Sequence, residues 1–110
     1  MNISVRRADG HATIDISGHI DISTSPQLRS ICMDLARQKT PKLLFNLSEV
    51  NYIDSSGVAT LVEALQRLGD YDGKLAIFGL SDRAREVFDI ANLTGVFELY
   101  ETEEEALGKM

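Results

Sequence analysis

Apolar residues along this chain change their spacing several times, and each change marks a new element. Ile3 and Val5 alternate with polar neighbours, Asp9-Gly10 interrupts, and Ala12, Ile14 and Ile16 alternate again with Thr13, Asp15 and Ser17. A period of two on either side of an Asp-Gly turn predicts a β-hairpin. Gly18-His19-Ile20-Asp21 then reads as a loop that ends the second strand. Leu28, Ile31, Cys32 and Leu35 recur at helical spacing. The helix start offers two readings: Thr24 with Gln27 as a capping box, or Ser25 as the N-cap before Pro26. Thr40-Pro41 stops that helix. Leu43 to Leu47 is a nearly unbroken apolar run, as in a strand covered on both faces.

The second half repeats the alternation. Val58, Leu61, Val62, Leu65 and Leu68 form a helical stripe, and Gly69 with Tyr71-Asp72-Gly73 marks its end. Lys74 to Leu80 reads as another buried strand. Ser81 and Asp82 cap a helix with Ala84, Val87, Phe88 and Ala91 on one face, closed by Asn92-Leu93-Thr94-Gly95. Val96, Phe97 and Leu99 suggest a short last strand, and Thr102 opens a brief acidic helix containing Ala106 and Leu107. The order ββαβαβαβα predicts an α/β fold: a mixed, mostly parallel β-sheet with an N-terminal hairpin and packed α-helices. Strand order within the sheet is not readable from the pattern.

Composition narrows the function classes. A chain of 110 residues suits one domain, expected over residues 1–110. The net charge of −6 argues against nucleic acid as a partner, because backbone binding needs a basic footprint. It gives no attraction to anionic lipid either. No apolar run approaches the length that crosses a bilayer, and Met1 to Arg7 lacks the apolar centre of a secretory signal, so a cytoplasmic location is expected. The single Cys32 cannot form an intrachain disulfide and sits where a small buried residue is needed.

Candidate chemistry concentrates at Asp54-Ser55-Ser56-Gly57, between the Leu43–Leu47 strand and the Val58–Leu68 helix. Ser55 and Ser56 fall at or beside a helix N-terminus, where orphan N–H groups and the helix dipole favour a negative group. Either serine could cap the helix or carry a phosphate, and Asp54 suits a cap equally well. Asp21 and Asp54 are expected to share an acidic rim beyond the C-terminal ends of parallel strands, where open α/β sheets place their sites. Catalysis finds little support. A serine nucleophile needs a base, and His11 and His19 are far away in sequence. Nucleophile-elbow, phosphate-loop, dinucleotide and metal-ligand spacings are missing, so neither cofactor nor metal is expected. Glu101 to Glu105 reads as the solvated start of the last helix.

Tyr52-Ile53-Asp54-Ser55-Ser56-Gly57-Val58 resembles the signature of STAS domains, the group named for sulfate transporters and anti-sigma factor antagonists. Gly18-His19-Ile20-Asp21, Leu44-Phe45-Asn46-Leu47, Arg83 to Phe88 and Asn92 to Phe97 resemble other family segments, so the resemblance spans essentially the whole chain. Family members often have Gly where Asn92 stands. The small size and intact Asp-Ser-Ser-Gly look most like bacterial anti-sigma factor antagonists. That resemblance implies phosphorylation of Ser55 by an anti-sigma factor that is also a serine kinase, and reversal by a PP2C-type phosphatase. It further implies partner contact through Asp21, Asp54, Ser55, Ser56 and Gly57, with no catalysis by the chain itself. The alternative within the family is a cytoplasmic accessory subunit of a membrane transport ATPase for lipids or anions.

Overall fold

The Asp9-Gly10 turn closes the expected hairpin in the computed structural model, which describes residues 1–110. Strand β1 (Asn2–Ala8) pairs antiparallel with β2 (His11–Ile20), with Val5 opposite Ile14. The chain continues through α1 (Ser25–Arg37), β3 (Lys42–Ile53), α2 (Ser55–Gly69), β4 (Lys74–Phe78), α3 (Asp82–Ile90), β5 (Glu98–Tyr100) and α4 (Glu103–Lys109). The five strands lie in the order β1-β2-β3-β4-β5, and every pair after the hairpin is parallel. The mixed, mostly parallel sheet expected from the alternation is therefore present.

Both faces of β3 are covered, as its apolar run suggests. Leu43, Phe45 and Leu47 join a main core with Leu28, Cys32 and Leu35 of α1, Leu61, Ala64 and Leu68 of α2, and Ala84 and Phe88 of α3. Leu44 points to the opposite face and meets Ala76, Phe78 and Ala106 of α4. Three helices thus cover one face and one short helix part of the other.

Several boundaries differ from the expected ones, each for a physical reason. Gly18-His19-Ile20 is not a loop: β2 runs to Ile20, with register shifts against β3 at Asp15/Ser17 and Gly18/His19. Gly18 has φ +95, so a glycine inside a strand here marks an irregularity in the ladder, not its end. The same shifts break the alternation of β3, which extends past Leu47 to Ile53. Neither cap reading of α1 holds. Thr24 occupies the N-cap position without capping the helix; its Oγ1 donates to the His19 carbonyl at 2.9 Å and accepts from the Asp21 N–H at 2.9 Å. The fourth strand stops at Phe78, because Gly79 turns with φ +78 against Ser48. Ala91 lies outside α3 and is exposed, and Val96 and Phe97 precede β5. The acidic start of α4 is not simply solvated, since Glu103 accepts from Arg6 at 3.1 and 3.2 Å and from the Thr13 hydroxyl at 3.0 Å. Arg6 also holds Asp15, whose pKa it depresses.

Candidate functional site

The C-terminal ends of β2 and β3 lie side by side, with Ile20 opposite Ile53 and the Asp54 N–H donating to the Ile20 carbonyl at 3.1 Å. The two loops that follow are consequently neighbours. Asp21 organises the first: its Oδ1 accepts from the Ser23 N–H at 3.0 Å, the Ser23 hydroxyl at 2.9 Å and the Thr24 N–H at 3.2 Å. Asp54 organises the second, as the N-cap of α2. Its Oδ1 accepts from the Ser56 N–H at 2.9 Å, the Gly57 N–H at 3.2 Å and the Ser56 hydroxyl at 2.6 Å. This is what an aspartate N-cap does, satisfying donors that the helix leaves orphaned.

These bonds hold both carboxylates in the charged form. The Ser56 hydroxyl, followed by the Gly57 and Ser56 N–H groups, lowers the Asp54 pKa, while the nearby Asp21 charge opposes the shift. The Ser23 hydroxyl and backbone lower that of Asp21. Asp21 and Asp54, the residues of the expected acidic rim, thus lie on neighbouring loops, and the Asp21 charge works against ionisation of Asp54.

The two serines differ sharply. Ser56 is half-buried, its hydroxyl bonded to Asp54 and within 3.3 Å of the Ser25 hydroxyl at the start of α1. Ser55, the first residue of α2, is exposed and its hydroxyl has no protein partner. Only Ser55 presents a free hydroxyl to a visiting molecule. Gly57 is buried, and a Cβ there would lie 2.7 Å from Ile20 Cγ2 and 2.8 Å from Ile53 Cγ1. Any part it plays in a contact surface is indirect, through the height at which it seats α2.

Apolar side chains flank the turn. Ile22 in the first loop is 79% exposed, and Tyr52 at the end of β3 is 45% exposed with its ring 5.6 Å from that of His19. Neither stood out in the sequence, where Ile22 breaks a polar run and Tyr52 sits inside the motif. Exposed large apolar residues beside a polar centre suit a protein contact. No group of three or more His, Cys, Asp or Glu side chains is arranged to hold a metal. His19 lies against Tyr52, and Ser55 has no base bonded to it.

The family model for the STAS domain matches residues 2–106. An anti-sigma-B factor antagonist of Listeria monocytogenes is 33% identical over 111 residues, covering 98% of this chain and 97% of that protein. Among solved structures, an anti-sigma factor antagonist from Mycobacterium paratuberculosis superposes with a TM-score of 0.89 at 27% identity, covering 97% of this chain and 91% of that one. The Bacillus cell fate determinant SpoIIAA, in its phosphorylated form, shares the fold with a TM-score of 0.77 at 22% identity, covering 98% of each chain.

Proposed function

The chain belongs to the STAS domain family, and from that premise we propose that it is an anti-sigma factor antagonist switched by phosphorylation of Ser55. Unphosphorylated, it binds an anti-sigma factor and thereby frees a sigma factor. The anti-sigma factor is also a serine kinase: the Ser55 oxygen attacks the γ-phosphorus of ATP, the bond to the β–γ bridging oxygen breaks, ADP leaves, and the hydroxyl proton passes to a kinase base. A PP2C-type phosphatase then hydrolyses the phosphoester to the free serine and inorganic phosphate. The chain itself is a substrate and a binding module.

One observation carries this reading: Ser55 is exposed and unpartnered at a helix N-terminus, while Ser56 beside it is held by Asp54. Relatives named as antagonists support it. No residue at the site independently favours a transporter subunit. The test is to incubate the protein with a serine-kinase anti-sigma factor of its host and ATP, and to locate the added mass by peptide mass spectrometry. Modification at Ser55, lost in Ser55→Ala and kept in Ser56→Ala, is expected. Full modification of Ser55→Ala would refute the assignment.

A further inference from the structure

Pairing between β3 and β4 ends at Asn46 and Phe78, yet β3 continues through Ile53 with β2 alone beside it. On the side that β4 has left, α3 comes up against the strand. Tyr52, Ile53, Arg83, Ala84 and Val87 line a groove of about 170 Å³ between them. That is below the roughly 300–1,000 Å³ of small-molecule sites. It suits one side chain of a larger partner. Its floor is apolar: Ile53 and Ala84 are buried, Val87 is half-buried, and the Tyr52 ring stands on its wall, backed by His19. At its mouth Arg83 is exposed and has no acidic partner; Arg7, Arg67 and Arg85 are also unpaired, but none of them lines this groove. On a chain of net charge −6, a free guanidinium beside an apolar slot is a selective feature.

Tyr52 and Ile53 lead directly into Asp54 and Ser55, so the groove adjoins the Ser55 turn along the chain. We propose that the groove receives an apolar side chain of the anti-sigma factor, with Arg83 pairing a carboxylate next to it, and that this contact selects which anti-sigma factor the chain binds. The proposal rests on the antagonist reading. An exposed aromatic wall that a partner can bury, with a polar rim, is the composition that concentrates binding energy, and a rim charge matched across the interface discriminates between partners.

The test titrates the protein with each purified anti-sigma factor of its host in turn, by calorimetry, using wild type, Tyr52→Ala, Arg83→Glu and Arg83→Lys. Both groove positions are exposed, so the variants should keep the wild-type circular dichroism and urea midpoint. Wild type should bind one anti-sigma factor more tightly than the others. Tyr52→Ala and Arg83→Glu should each lose at least tenfold in affinity, with Arg83→Lys recovering most of the loss. Wild-type affinity in folded Tyr52→Ala and Arg83→Glu would overturn the groove proposal while leaving the antagonist reading intact. If no anti-sigma factor binds wild type, the antagonist reading fails and the groove proposal fails with it.

Discussion

Replacing Gly57 by Ala sets two known effects against each other at the point where the Ser55 turn rests on the sheet. Gly57 is the third residue of α2, and its backbone is outside the left-handed region, so alanine is conformationally acceptable there. Helix propensity alone would favour alanine by up to about 1 kcal/mol. The added methyl, however, would lie 2.7 Å from Ile20 Cγ2 and 2.8 Å from Ile53 Cγ1. That is roughly 1 Å inside ordinary carbon–carbon contact. Both isoleucines are buried, and both atoms sit on Cβ, so they move only by leaving a stiff χ1 well. Overpacking of this kind costs about 1–3 kcal/mol.

The larger effect is the clash, and Gly57→Ala should destabilise the fold by about 1–2 kcal/mol. For a domain of this size that is a fall in Tm of roughly 4–8 °C per kcal/mol. Urea titration followed by circular dichroism measures it, since two-state unfolding is expected at this length. A cycle with Ile53→Ala supplies the second test. The cost of Gly57→Ala should shrink by about 0.5–3 kcal/mol once the isoleucine is gone. A stabilised Gly57→Ala protein, with no coupling to Ile53, would show that α2 is not seated by that glycine.

Four further outcomes follow from the same contacts. Asp54→Ala removes the cap of α2 and should cost about 0.5–2 kcal/mol, read as a lower urea midpoint; an unchanged midpoint would contradict the capping role. Asp15, Asp21 and Asp54 all have folded pKa values below their ordinary ones, so the stability they contribute is present above about pH 4 and is lost as pH falls through the folded values. The urea midpoint should fall below about pH 4 and fall less steeply in Asp54→Asn; a midpoint that rises on acidification would refute this. Burial pushes the Cys32 thiol up to about 12, so at pH 8 a thiol reagent should label it only as fast as the protein unfolds, whereas immediate labelling would place it near the surface. Phosphorylation of Ser55 should move amide resonances only between Ile20 and Ser25 and between Tyr52 and Thr60; changes reaching Leu44 or Ala76 would indicate remodelling of the sheet.

The sequence displayed the order of elements because most of them bury large side chains on one period. Leu28, Cys32 and Leu35 announce α1, and Leu75 with Ile77 announces β4. It was less informative where small residues do the burying. The buried line of α2 runs through Gly57, Thr60, Leu61, Ala64 and Leu68, so the expected stripe found Leu61 and Leu68 but missed the three small residues, while Val58, Val62 and Leu65 are only half-buried. At Gly57 a small residue is needed because α2 starts directly against Ile20 and Ile53, and a pattern weighted by side-chain size looks past it. The upper part of β3 was hidden by the register shifts opposite Gly18, which place Ser48-Glu49 and Asn51-Tyr52 as exposed pairs and erase the alternation. At the site, Asp54 as a cap was readable from residue type. The difference between Ser55 and Ser56 was not, because it depends on where one hydroxyl points and on Ser25 arriving from another helix.

That difference also fixes what a phosphate on Ser55 can do. Three first-turn N–H groups of α2 are occupied: Asp54 Oδ1 holds those of Ser56 and Gly57, and the Asp54 carbonyl holds that of Val58 at 3.1 Å, while the N–H of Ser55 itself has no acceptor. Taking them over would mean ejecting Asp54, at about 0.5–2 kcal/mol, for a gain of about 0.3–1 kcal/mol from an exposed negative group at a helix end. The exchange is unfavourable, so the phosphate leaves the Asp54 cap in place and has only the free Ser55 N–H to accept from at the helix end. It adds about −1.5 to −2 charges beside two carboxylates already held in their ionised form. Within the free protein that costs little, because water screens an exposed charge. Under a bound partner it is desolvated, and one unpaired charge in an interface costs on the order of 2–5 kcal/mol, or roughly thirtyfold to several thousandfold in affinity. The proposed switch therefore operates in the complex, on a fold that it leaves as it is: Ile20 and Ile53 are buried beneath Gly57, and Ser55 above them is exposed.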